Sequence, residues 1–111
     1  MKRSVLFVGY DSPVEKEIGD YIRDIASEVF FGSTHEQAIR ILNDHAIESV
    51  VLNLRSMNDA VILRYINRYH PDIHVVISAN REFEENIEVL TEPSYAHLPQ
   101  PLSLEKLMGV L

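Results

Sequence analysis

Glu48-Ser49-Val50-Val51-Leu52-Asn53-Leu54-Arg55-Ser56-Met57 decides the fold of this 111-residue chain. Ser49-Val50-Val51-Leu52 is an apolar, β-branched run with no polar alternation, which suits a strand buried on both faces, the habit of parallel sheets. Val5-Leu6-Phe7-Val8 and Ile73-His74-Val75-Val76-Ile77 read the same way. Glu28-Val29-Phe30-Phe31 and Tyr95-Ala96-His97-Leu98 are weaker, shorter candidates, which brings the expected strands to about five.

Segments of helical period separate these runs. Ser12-Pro13-Val14-Glu15 offers an N-cap, a proline at the first helical position and a Glu three residues after the cap, with Val14, Ile18, Tyr21, Ile22 and Ile25 on one face to about residue 26. Gly19 inside that helix costs roughly 1 kcal/mol relative to Ala, so its presence points to close packing against a neighbour. Ser33-Thr34-His35-Glu36 is a second capping box, followed by Ala38, Ile41, Leu42 and Ala46. Asn58 or Asp59 caps a third helix expected to bury Val61, Ile62, Tyr65, Ile66 and Tyr69 and to stop before Pro71. A fourth helix over about 82–91 uses Phe83, Ile87 and Leu90, and a fifth starts at Ser103 with Leu104, Leu107, Met108 and Leu111.

The alternation β-α-β-α-β-α-β-α-β-α predicts one α/β domain over 1–111, a doubly wound (βα)5 parallel five-stranded sheet with right-handed crossovers and helices on both faces. In such sheets ligand chemistry gathers at the carboxyl ends of the strands. Those ends are Gly9-Tyr10-Asp11, Asn53-Leu54-Arg55, Ser78-Ala79-Asn80 and Pro99-Gln100-Pro101.

Composition narrows the function classes. The absence of Cys removes disulfide scaffolds, thiolate nucleophiles and Cys-based zinc sites. Ten Lys and Arg against 17 Asp and Glu leave a net charge of −7, which opposes direct nucleic-acid binding and attraction to anionic lipid. No apolar run approaches the roughly 20 residues that span a bilayer, and the run after Met1 breaks too early for a secretory signal, so a cytoplasmic location is expected.

At the strand ends the sequence resembles the receiver domains of two-component response regulators over essentially its whole length. The family's third-strand pattern, an acidic residue, four apolar residues and the phosphoacceptor Asp, is similar to Glu48 through Asn53, with Met57 in the Met-Pro-Gly position. Ile77-Ser78-Ala79 matches the fourth-strand Ser or Thr followed by Ala, and Gln100-Pro101 matches the Lys-Pro of the fifth. The resemblance implies a flavodoxin-like sheet of order 2-1-3-4-5, a role in phosphorelay signal transduction and a cis peptide before Pro101.

It also exposes systematic departures. The phosphoacceptor position falls on Asn53, whose amide is no nucleophile. The paired acids that hold Mg2+ in the family correspond to Gly9 and Tyr10, with Asp11 one step beyond, so weak or absent Mg2+ binding and no other cofactor are expected. Gln100 stands for the conserved Lys, leaving a neutral amide. Of the phosphate-handling set only Ser78 survives, and a closed neutral hydrogen-bond network of Ser78 with Asn53 or Gln100 is the expected arrangement.

The remaining polar residues divide between ordinary and functional readings. His35, His45, His70, His74 and His97 form no local metal-ligand pattern and read as surface or boundary residues. His97 also occupies the place of the family's switching aromatic residue. Arg55 reads as a solvated loop residue or an anion contact at the strand end. The acids at 82, 84, 85 and 88 suit a helix start. By resemblance Arg81, Glu85, Tyr95 and Lys106 lie on the face of fourth helix, fifth strand and fifth helix through which receivers dimerise or dock partners.

These readings favour a pseudo-receiver, with no enzymatic activity, that regulates a protein partner or an attached output domain, such as a transcription regulator, through contacts alone. The short last helix, with Leu111 still on its apolar stripe, leads us to expect the N-terminal part of a longer regulator. Two alternatives stand beside it. A phosphorylatable receiver would need an unusual residue, and Asp59, the nearest acid after the third strand, lies too far along to end it. A flavodoxin-like cofactor domain would need a phosphate cradle, whereas Gly9-Tyr10-Asp11-Ser12-Pro13 holds one Gly and a proline without an N–H.

Overall fold

In the computed structural model the described residues are 4–10, 13–23, 28–54, 57–79, 96–99 and 104–110. They form β1 (Ser4–Val8), α1 (Pro13–Ile22), β2 (Glu28–Gly32), α2 (His35–Asp44), β3 (Ser49–Leu54), α3 (Ala60–Tyr69), β4 (His74–Ala79), β5 (Ala96–Pro99) and α4 (Leu104–Val110), with a 3-10 turn at Met57–Asp59 leading into α3. The helix expected over 82–91 lies outside the described residues.

All strand pairings are parallel. β1 lies between β2 and β3, and β4 pairs with β3, which is the expected order 2-1-3-4; Ala96–Pro99 runs along the free side of β4. β1 and β3 are buried at every position, as unbroken apolar runs require in a sheet covered on both faces. Edge strand β2 is half-buried over Val29, Phe30 and Phe31.

Alternation along the strands divides the core in two. On one face Leu6, Val8, Val50, Leu52, Leu54, Val75 and Ile77 pack with Ala38 and Leu42 of α2 and Ile62, Leu63 and Ile66 of α3. On the other, Val5, Phe7, Val51, Val76 and Leu98 pack with Ile18 and Ile22 of α1 and Leu107 of α4. Buried Ser4 fixes the lower edge: its Oγ donates to the Ala46 carbonyl and accepts from Glu48 N–H at 3.1 Å, which sets where β3 begins.

Local signals place most helix ends, with shifts. The cap of α2 is Thr34 rather than Ser33: its Oγ1 accepts from Gln37 N–H at 3.1 Å, and Gln37 Oε1 accepts from Ser33 N–H at 2.9 Å. Asp59 stands at the N-cap of α3 without bonding that helix's N–H groups. Gly19 does mark close packing, since a Cβ there would lie 2.3 Å from the tip of the Phe31 ring.

Three expectations about helix faces are overturned, the first at Ala46, which lies beyond the end of α2 and is exposed. Tyr21 of α1 is 60% exposed. Val61 and Tyr69 of α3, expected inside, are 51% and 58% exposed; Ile62 and Ile66 are buried and Tyr65 half-buried as expected, but α3 is rotated so that Ala60 and Leu63 complete the buried stripe. That rotation places Leu63 in the core and turns Arg64 and Arg68 outward, which avoids desolvating either guanidinium.

Candidate functional site

Asn53 and Ser78 are register partners at the penultimate positions of β3 and β4, so their side chains share a sheet face at the carboxyl edge. Gly9 follows β1 directly, and its N–H donates to the Gly32 carbonyl at 3.0 Å, tying the ends of β1 and β2 together. Its φ of 82° lies in the left-handed region that favours glycine. This turn brings the Gly9 carbonyl to Asn53, whose Nδ2 donates to it at 3.0 Å in a buried hydrogen bond.

Tyr10 does not face an open pocket. It is 3% exposed and belongs to the core of the α1 and α4 face, with its ring edge-on to Phe7 at 5.8 Å between centroids. The two positions that the resemblance matches to the family's metal-holding acids therefore carry a left-handed glycine and a core aromatic ring. They do not fit a hard divalent cation, which takes carboxylate oxygens. Among the described residues no group of three or more His, Asp or Glu converges on a metal position.

Of the expected network of Ser78 with Asn53 or Gln100, the bond to Asn53 is not formed and Gln100 lies outside the described residues. Ser78 is fully buried, and its Oγ has no hydrogen-bond partner among the described residues, while the Asn53 amide turns to the β1 side. Asp11, Arg55, Gln100 and Pro101 lie outside the described residues, as do Arg81, Glu85 and Tyr95. The His97 backbone pairs with Ile77, its side chain lying outside what is described, and Lys106 is exposed on α4.

A second polar pair at the same edge left no local signal in the sequence. His35 Nε2 lies 2.8 Å from Oδ1 of Asp59, which is 4% exposed, and joins the start of α2 to the start of α3. His35 is thus a bridging residue between helices. Asp59 sits with α2 and α3, on the side of the sheet opposite the Asn53 face, in keeping with its position beyond the strand end.

No family model and no curated protein matches this sequence. The solved structures do. A response regulator receiver protein from Sinorhizobium medicae superposes with a TM-score of 0.82 at 18% identity, covering 98% of this chain and 90% of that one. The fold is that of a receiver domain. A two-component transcriptional regulator AraC from Clostridium phytofermentans gives a TM-score of 0.86 at 13% identity over 99% of this chain and 90% of that one. The signal receiver domain of an HD domain-containing protein from Pseudomonas fluorescens gives 0.83 at 13% identity over 99% and 91%. In the receiver fold, the edge carrying Gly9, Asn53 and Ser78 is the carboxyl edge of the central strands.

Proposed function

We propose that this chain is an atypical receiver module of a signalling protein, one that acts through protein contacts without aspartyl phosphorylation. The observation that carries the reading is Asn53. An acyl phosphate forms when a carboxylate oxygen attacks phosphorus, and an amide at the end of β3, donating its Nδ2 to the Gly9 carbonyl, offers no such nucleophile. The glycine at position 9 and the core-packed Tyr10 support the same reading, because neither side chain supplies a carboxylate that could hold a cation beside Asn53.

In this reading the full domain is the five-stranded (βα)5 sheet of order 2-1-3-4-5. It has no enzymatic activity and no cofactor of its own, works in the cytoplasm, and controls a partner or an attached output domain such as a transcription regulator. The face that the helix expected over 82–91 would form with β5 and α4 serves for pairing or docking. The likeness to a transcriptional regulator and to the receiver of an HD domain-containing protein supports an attached output without selecting one.

The test is incubation with a radiolabelled small acyl-phosphate donor and Mg2+, together with amide NMR during a Mg2+ and beryllofluoride titration. The expected result is no incorporated label and no shifts at Gly9, Tyr10, Asn53, Leu54 or Ser78. Label on any acidic residue would establish a phosphorylatable receiver instead, and flavin absorbance in the purified protein would establish a cofactor domain.

A further inference from the structure

The rotation of α3 leaves a face that the receiver reading does not use. Val61, Arg64, Arg68 and Tyr69 are exposed on the outer side of this helix, away from buried Ala60, Ile62, Leu63 and Ile66, and half-buried Tyr65 lies at the border, one side against the core. Val61, Tyr65 and Tyr69 follow at intervals of four, so they form one stripe along the axis. Val61 and Tyr69, about two turns apart, are each more than half exposed, with Tyr65 between them.

The stripe is preorganised. Tyr65 donates its hydroxyl to Asn43 Oδ1 of α2 at 2.7 Å, which fixes its ring on the surface. The Tyr65 and Tyr69 rings lie 4.9 Å apart, and the Arg68 guanidinium sits 5.5 Å from the centroid of Tyr69. Tyr and Arg held in this way are the residue types that dominate binding energy in protein interfaces, since little side-chain entropy remains to be lost.

At the C-terminal end of the stripe Tyr69 also lines a cavity of about 300 Å3 between the ends of α2 and α3 and the start of β4. Leu42, Ile47 and Ile73 supply apolar wall, and His45 and His70 supply ring surface. That is the lower end of the size range for sites that take up a small group. Asp72 is the one acid among the lining residues.

Charge selects the occupant. The chain carries −7 overall, yet α3 contains two arginines and no acid. Neither Arg64 nor Arg68 forms an ion pair among the described residues, whereas Arg23, just past the end of α1, pairs with Asp20 and Arg40 pairs with Glu36 of α2. An acidic molecule approaching this chain meets repulsion over most of the surface and relief along α3.

We propose that the outer face of α3 and the cavity at its end form a docking surface for an acidic amphipathic protein segment. Its carboxylates pair with Arg64 and Arg68, its apolar side covers Val61 and Tyr65, and one apolar side chain enters the cavity beside Tyr69. This surface is separate from the strand edge of Asn53, and titration there can fail while the reading of Asn53 stands.

The test uses the whole chain, labelled with 15N, and a short synthetic helical peptide with Glu on one face and Leu and Phe on the other. The control peptide has every Glu replaced by Lys. The acidic peptide should shift amides over 61–73 and 42–47, and R64E/R68E should weaken it roughly tenfold, the sum expected of two exposed charge reversals. Tyr69→Ala should weaken it as well, with the circular dichroism of both variants unchanged. The proposal is overturned if neither peptide produces shifts, if the lysine peptide binds as well, or if the shifts fall on β5 and α4. It is also overturned if the α3 amides shift with protein concentration alone, which would make the occupant a second copy of the chain.

Discussion

The Asn53 side chain donates to the Gly9 carbonyl across the β1 and β3 strand ends, in a buried hydrogen bond of 3.0 Å. A carboxylate at position 53 would set an acceptor against an acceptor. Asn53→Asp is therefore expected to destabilise the fold by about 1–3 kcal/mol at neutral pH. Burial and the facing carbonyl raise a carboxyl pKa in the folded state, so the unfolded chain ionises first as pH rises. The deficit then appears above the ordinary carboxyl value of about 4 and shrinks in acid, where a protonated Asp donates again. Urea unfolding of both proteins at neutral and acid pH checks this, and an equal deficit at both would rule out the mechanism.

Gly9 carries the turn that presents that carbonyl, with φ at 82°. Gly9→Ala should cost about 1–2 kcal/mol, because an L side chain in the left-handed region crowds the following carbonyl. Thermal unfolding should fall by roughly 5 °C or more. An unchanged midpoint would mean that the turn relaxes at no cost to the Asn53 bond.

The strands were legible in the sequence because burial on both faces leaves a chemical trace, the unbroken runs at 5–8, 49–52 and 73–77. The close packing of Gly19 was legible for a similar reason, since a helix keeps a glycine only against an opposing force. The face of α3 was not. Val61, Ile62 and Leu63 are consecutive, so helical period alone allows the buried stripe to centre on either side of Ile62, and only the cost of burying Arg68 separates the two. At the site, the residue types at 9, 10 and 53 are what raised the expectation of a degenerate phosphate set, with Ser78 its one matching member. The bond from Asn53 to Gly9 ends on a backbone carbonyl, which no residue type announces, and the partners His35 and Asp59 stand on separate elements 24 residues apart.

Gly19 and Phe31 form a testable couple. The Phe31 ring fills the space that a Cβ on Gly19 would need and is stacked on Phe7 at 5.3 Å, so it yields only by losing that stack. Gly19→Ala should destabilise the native protein by about 1 kcal/mol or more. In a Phe31→Leu background the same change should stabilise by up to about 1 kcal/mol, the helix-propensity gain. A double-mutant cycle showing the same sign in both backgrounds would refute the contact.

The bridge between His35 and Asp59 ties α2 to α3, with the carboxylate nearly inaccessible. His35→Ala removes a hydrogen bond from a buried carboxylate and should cost about 1–3 kcal/mol. Amide hydrogen exchange should rise in the first turns of both helices, while α1 and β1 keep their protection. A loss of protection spread evenly over the chain would show that His35 serves stability in general and does not join these two helices.

Ser78 gives the sharpest test of whether the strand edge is idle. A fully buried hydroxyl without a partner among the described residues has lost its bonds to water and gained none in return. Ser78→Ala removes that desolvated group at the cost of one small atom, so stability should stay level or rise by up to about 1 kcal/mol. The comparison is made in plain buffer and again with saturating beryllofluoride and Mg2+. If the native protein gains stability from the anion and the variant does not, the hydroxyl is a ligand to it and the edge still senses a phosphoryl group. An equal response of the two proteins to the anion means that the Ser78 hydroxyl is no ligand to it, whatever the difference between them in plain buffer.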